Sequence, residues 1–181
     1  RSATQVTREV IEAATNCKII GRAGVTCDNI DVDAASEHGI PVCNVPTSNI
    51  VSAAEHTMAL MLALDRRLKT YIHTVDSEHC WKYYMASKPM GLNGSTLGLF
   101  GFGKIGRAVA RRARGFGMRV LAVDTNADEQ QAAELGVIIT DAKTLLRESD
   151  VISNHMNLTA ENWHFFDDAG FAAMEKHPIF L

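Results

Sequence analysis

Gly101, Gly103 and Gly106 stand in the spacing G-x-G-x-x-G, directly after the apolar run Leu97-Gly98-Leu99-Phe100. A helical pattern follows at once (Arg107, Ala108, Val109, Ala110, Arg111, Arg112, Ala113), and a second apolar run over residues 119–123 ends at Asp124. Strand, glycine turn, helix, strand and acidic residue come in the order that a dinucleotide site requires. The first glycine permits a tight turn, the second a close approach of the backbone to a pyrophosphate, and the third close packing of helix on strand. N–H groups at the helix start then face the phosphates, favoured by the helix dipole. Asp124 lies about 20 residues on, where a carboxylate accepts hydrogen bonds from a ribose. No basic residue adjoins it in Asp124-Thr125-Asn126, which points to NAD rather than NADP. An ordinary tight βα turn is the bland alternative, and a methyltransferase shares part of the pattern.

Other residues capable of chemistry are less telling. Glu55-His56 lies on a helical pattern without the H-E-x-x-H spacing of a metal site, so a structural role is expected. Cys17, Cys27, Cys43 and Cys80 are scattered without a C-x-x-C pair and read as reduced thiols of a cytoplasmic protein, with no metal expected. The net charge of −3 argues against a nucleic-acid surface, and no apolar run approaches the roughly 20 residues of a membrane span.

The elements that must position the glycine turn alternate between strand and helix. Helical patterns cover residues 5–16, with Thr4 or Thr7 as cap, and 32–37, ended by Gly39; strands are expected at 17–22 and 40–44. Pro46-Thr47-Ser48-Asn49 reads as a hinge. A long helix begins near residues 49–52, with an apolar stripe of Val51, Ala54, Met58, Met61, Leu62 and Leu68. Residues 72–90 read as irregular, with an aromatic cluster of Trp81, Tyr83 and Tyr84. Beyond Asp124, helices are expected at 127–135, 142–148 and 167–176, and strands at 137–140, 151–154 and 179–181. This alternation predicts an α/β protein with a doubly wound parallel sheet of the Rossmann type. Because the chain opens on Arg1 and closes within the apolar run Ile179-Phe180-Leu181, it reads as a fragment.

Arg1-Ser2-Ala3-Thr4, Gly21-Arg22-Ala23-Gly24-Val25 with Asp28-Asn29-Ile30-Asp31, Gly39-Ile40-Pro41-Val42, Ser52-Ala53-Ala54-Glu55-His56-Thr57, residues 97–106 and Asp150-Val151-Ile152 follow one another in this order. Together they resemble the D-isomer-specific 2-hydroxyacid dehydrogenase family, most closely its D-3-phosphoglycerate dehydrogenase-like members. The resemblance implies an NAD-dependent oxidoreductase of two domains, acting on a small D-2-hydroxy acid or 2-keto acid. Residues 1–46 would be the end of the first segment of a flavodoxin-like substrate domain, and 47–181 the NAD-binding domain. It also implies that N–H groups of Ala23, Gly24 and Val25 hold the substrate carboxylate. Lys104 and Ile105 would meet the pyrophosphate, Asp124 the ribose, and His155 and Met156 would line the cofactor pocket. From its own residues, His155 reads equally as a pocket histidine with no cofactor contact.

The family's catalytic Arg, Glu and His match nothing in this chain, and Arg1, Arg22, His56 and His155 do not occupy those positions. Thr26, Asn157 and His79 stand where the family usually has Gly, Pro and Gly; a positive φ at Thr26 would be strained. The resemblance further implies a homodimer formed through the long helix and the Trp81 region. A related reading in another class is an NAD-sensing, dimerising corepressor of the same fold.

Overall fold

The structure is a computed structural model that describes residues 3–79 and 89–181. It forms two compact units, residues 1–51 and 52–181.

The first unit contains α1 (Arg8–Ala13), β1 (Ile20–Arg22), α2 (Val32–Glu37) and β2 (Val42–Asn44). The two strands pair in parallel, Ile20 opposite Val42 and Arg22 opposite Asn44. Ile11, Ala34, Ala35 and Ile40 form their small core. Helix α1 is shorter than the pattern over 5–16 suggests. Only Ile11 is buried, and Thr7 occupies the N-cap position without a side-chain capping bond, so little holds further turns. Helix α2 is well specified: Asp31 accepts from the Ala34 N–H at 2.8 Å, and Gly39 adopts φ +63° just past its end.

The second unit contains α3 (Ile50–Asp65), which starts at the unit boundary, and α4 (Leu68–Glu78), β3 (Thr96–Phe100), α5 (Lys104–Gly115) and β4 (Arg119–Val123). Then follow α6 (Glu129–Glu134), β5 (Val137–Ile139), α7 (Ala142–Glu148), β6 (Val151–Asn154), α8 (Asp168–Ala172) and β7 (Ile179–Phe180). The five strands are all parallel in the order β5-β4-β3-β6-β7. Ala54, Met58 and Met61 of α3 and Val109, Ala110 and Ala113 of α5 pack against Leu97, Leu99, Val120 and Val151 on one face. Leu145 and Leu146 of α7 and Met174 pack against Phe100, Leu121 and Ile152 on the other. Helices thus cover both faces of a doubly wound sheet. The chain runs outward from β3 to β5, then returns to β6, which places the topological switch between β3 and β6.

Three details depart from the sequence reading. The long helix ends at Asp65, because Arg67 turns to φ 50°, and Val51 and Leu68 of the apolar stripe lie exposed. Residues 72–78, expected to be irregular, belong to a second helix over Leu68–Glu78, closed by His79 at φ 50°. Helix α8 covers only five residues, because it buries none of them. Trp81, Tyr83 and Tyr84 lie outside the described residues.

Candidate functional site

The glycine turn joins β3 to α5 at the carboxyl ends of the strands, and the three glycines meet three different surroundings. Gly101 has φ +92°, a conformation that L side chains rarely adopt. A Cβ there would also lie 2.7 Å from the His155 carbonyl carbon and 2.9 Å from the Met156 nitrogen. The backbone leaving β6 therefore presses on the turn, and the His155 N–H donates to the Phe100 carbonyl at 2.6 Å. Gly106 is buried, and a Cβ on it would overlap the Gly101 carbonyl oxygen. Gly103 differs from both, since nothing lies within 4 Å of its Cβ position. The turn is closed on the protein side and open on the solvent side at its middle glycine.

Gly103 is also the N-cap of α5, and no side chain caps the helix. The first-turn N–H groups, Lys104 and Ile105 among them, have no acceptor within the helix by its geometry. An anion with several oxygens is the ligand that such an end accommodates. The Lys104 side chain is exposed, whereas that of Ile105 packs against the core, so Ile105 offers the site its N–H alone.

Asp124 directly follows β4 and is half-buried. One carboxylate oxygen accepts from the Phe102 N–H at 2.7 Å and the other from the Asn126 N–H at 2.8 Å. The carboxylate thus straps the glycine turn to the end of β4, a task beyond the ribose contact inferred from sequence. Each oxygen retains a lone pair for a ribose hydroxyl. His155 is half-buried, and its Nε2 lies 3.0 Å from the buried Ser153 hydroxyl. Burial pushes its pKa below the usual 6.5 of a histidine, favouring the neutral ring. The Met156 N–H donates to the Asn154 side chain at 3.0 Å. Met156, Asn157 and Asn162 share a cavity beyond β6, where the Asn162 amide donates to the Asn157 carbonyl at 2.7 Å. The Ser153 and Asn162 contacts had no signal in spacing or periodicity, because both form only once the chain after β6 has turned.

In the first unit, Ala23, Gly24 and Val25 follow β1 directly. The Gly24 N–H turns inward to the Arg22 carbonyl at 2.9 Å. The loop is tied to the end of β2 through its carbonyls: Gly24 accepts from the Val45 N–H at 3.0 Å and Val25 from the Asn44 amide at 2.6 Å. Thr26 is not among the residues with positive φ, so the strain that a β-branched residue would carry there does not arise. Glu55 forms an ion pair with Arg112 at 3.5 Å, and His56 is exposed. Among the described residues no helix is long and apolar enough to cross a membrane.

Known proteins match this chain over nearly all of its length. The chain is 45% identical over its whole length to hydroxypyruvate reductase of Thermotoga maritima, of which it spans 58%. It is 44% identical over 99% of its length to D-3-phosphoglycerate dehydrogenase of Archaeoglobus fulgidus, of which it spans 34%. It therefore covers between about a third and somewhat over half of these relatives. Among solved structures, D-lactate dehydrogenase from Aquifex aeolicus complexed with NAD and lactic acid superposes with a TM-score of 0.75 at 34% identity. That match covers 94% of this chain and 50% of the other. Residues 58–181 match the model of the D-isomer specific 2-hydroxyacid dehydrogenase NAD-binding domain, and the chain belongs to that family.

Proposed function

We propose that the protein is an NAD-dependent oxidoreductase of small D-2-hydroxy acids and their 2-keto partners, of the 3-phosphoglycerate dehydrogenase type. The observation that supports this best is the glycine turn, whose outer glycines are locked against protein while Gly103 faces open space. When bound, NAD supplies the acceptor or donor of a hydride at its nicotinamide ring. The chain's own part is to bind and orient. Gly103 admits the pyrophosphate, the N–H groups of Lys104 and Ile105 donate to it, and Asp124 accepts from the adenosine ribose. The same carboxylate would repel a 2′-phosphate, which favours NAD over NADP. His155 and Met156 line the cofactor pocket, with the neutral His155 ring avoiding an unpaired charge. The loop Ala23, Gly24 and Val25 takes the substrate carboxylate. We assign no residue among 1–181 to proton transfer.

The same reading places residues 1–46 in a substrate domain and 47–181 in a cofactor domain, and makes the protein a homodimer through α3. Exposed Leu60 and Leu64 on that helix support this. Neither named relative is a corepressor, and nothing in the geometry favours that alternative.

Fluorescence titration with NADH and, separately, NADPH tests the proposal, with circular dichroism recorded alongside. Saturable binding of NADH, tighter than that of NADPH, is expected. A folded chain that binds neither would overturn the cofactor site.

A further inference from the structure

Ser153 differs from the other buried serines in what its hydroxyl meets. It is 2% exposed and stands in β6, whose backbone is bonded to β3 on one side and to β7 on the other. The hydroxyls of the buried Ser95 and Ser149 donate to backbone carbonyls, those of Leu92 and Leu145, each at 2.7 Å. The Ser153 hydroxyl instead has, among the described residues, one hydrogen bond, which joins its Oγ to the His155 Nε2 at 3.0 Å. That single contact fixes the direction of the bond. A hydroxyl can both donate and accept, whereas each nitrogen of a neutral imidazole does only one of these. If Nε2 carried the hydrogen, the Ser153 proton would be buried without an acceptor, and a buried donor left unpaired is the costlier arrangement. The hydroxyl therefore donates, Nε2 accepts, and the hydrogen of the ring is on Nδ1. Protonation of the ring would turn the bond round and strand the hydroxyl proton, so this contact and burial both keep His155 neutral.

The backbone of His155 is held independently. Its N–H donates to the Phe100 carbonyl at 2.6 Å, and its carbonyl carbon lies against Gly101. Backbone and ring are thus both fixed where the chain leaves β6 beside the glycine turn. Nδ1 has no hydrogen-bond partner among the described residues. We infer that Ser153 is a positioning residue: it holds the His155 ring in the Nδ1–H form, so that the ring offers the cofactor pocket one hydrogen-bond donor. Such a donor suits an acceptor oxygen of a dinucleotide and turns away an amino group. The recipient of that hydrogen bond rests on the proposed function, whereas the state of the ring rests on the Ser153 contact alone.

The test reads the ring nitrogens by NMR of the chain labelled with ¹⁵N-histidine, at pH 7.5 and without cofactor. The His155 signals, identified by their loss in His155→Gln, should show Nδ1 protonated and Nε2 bare. Ser153→Ala should abolish that preference. A parent ring with its hydrogen on Nε2 overturns the inference without recourse to Ser153→Ala, and so does Ser153→Ala with the ring unchanged. Titration with NADH then reads the consequence. Ser153→Ala should weaken NADH binding about two- to tenfold, the range of one hydrogen bond. In a His155→Gln background the same substitution should cost nothing further. Equal losses in both backgrounds would show that Ser153 acts on its own account rather than through the ring, and would overturn the inference. A chain that bound no NADH would overturn the cofactor site while the ring measurement still decided the role of Ser153, so the two failures are separately visible.

Discussion

The two loops proposed to hold ligands are built on opposite plans. In the second unit the glycine turn is fixed by backbone packing: Gly101 against the chain leaving β6, Gly106 against the Gly101 carbonyl, and Asp124 across the turn. Lys104 adds an exposed side chain at its edge, and the backbone N–H groups at the start of a twelve-residue helix supply further attraction for an anion. In the first unit the loop 23–25 is held by a few hydrogen bonds to a three-residue strand, and the Arg22 side chain lies across it. A loop fixed by backbone packing is intolerant of substitution; a loop held by a few hydrogen bonds is the reverse.

The glycines offer the sharpest way to break this contrast. Gly101→Ala and Gly106→Ala should each destabilise the protein by about 3 kcal/mol or more, through overlap with fixed backbone and, at Gly101, a forbidden φ. Gly103→Ala meets nothing and should melt within about 0.5 kcal/mol of the parent while losing affinity for NADH. Thermal denaturation with a parallel NADH titration separates the two behaviours. If all three variants lost stability alike, the turn would not be open at its centre, and the argument for a pyrophosphate there would collapse.

The next effect compares the side chains that strap each loop. Asp124 accepts two backbone N–H bonds with an ionised carboxylate, whereas Asn44 donates one bond from an exposed amide. Asp124→Ala should therefore cost about 1–3 kcal/mol and Asn44→Ala about 0.5–1 kcal/mol. Urea denaturation of both variants checks the order. A larger loss at Asn44 would mean that the first loop is the more rigidly built, against the comparison drawn here.

The glycine turn was legible in the sequence because its logic is local. Spacing, flanking apolar runs and Asp124 all fall within one strand-helix-strand unit, and the order of the sheet follows from their alternation. The caps Asp31, Asp128 and Asp141 are equally local, each accepting from an N–H three residues on as short polar side chains do, although of these only Asp141 is picked out by the sequence reading. The break between α3 and α4 was not legible, since it is made by Arg67, a residue type with no preference for left-handed backbone. The site contacts that were missed share one feature: they join a side chain to a turn whose path is set elsewhere. Arg22 over Gly24, Ser153 beside His155 and Asn162 beneath Asn157 each depend on how a loop closes, which neither periodicity nor spacing encodes.

The smallest effect concerns acid. The glycine turn responds to it through His155, whose backbone touches Gly101 and whose pKa burial pushes below 6.5. The unfolded chain then binds a proton at this site more readily than the folded one. Above pH 6.5 both states are neutral there and the stability is fully present. As pH falls below 6.5 the unfolded state protonates first, and stability is lost until the folded pKa is passed. His155→Gln removes that slope while leaving the contributions of Glu37, Asp141, Glu148 and Glu161, whose lowered pKa values act in a more acidic range. Urea midpoints at pH 7.5 and 5.5 should therefore fall more for the parent than for His155→Gln. Equal falls would show that the ring takes up its proton as readily in the fold as in water, and His155 would then give the glycine turn no dependence on pH in this range.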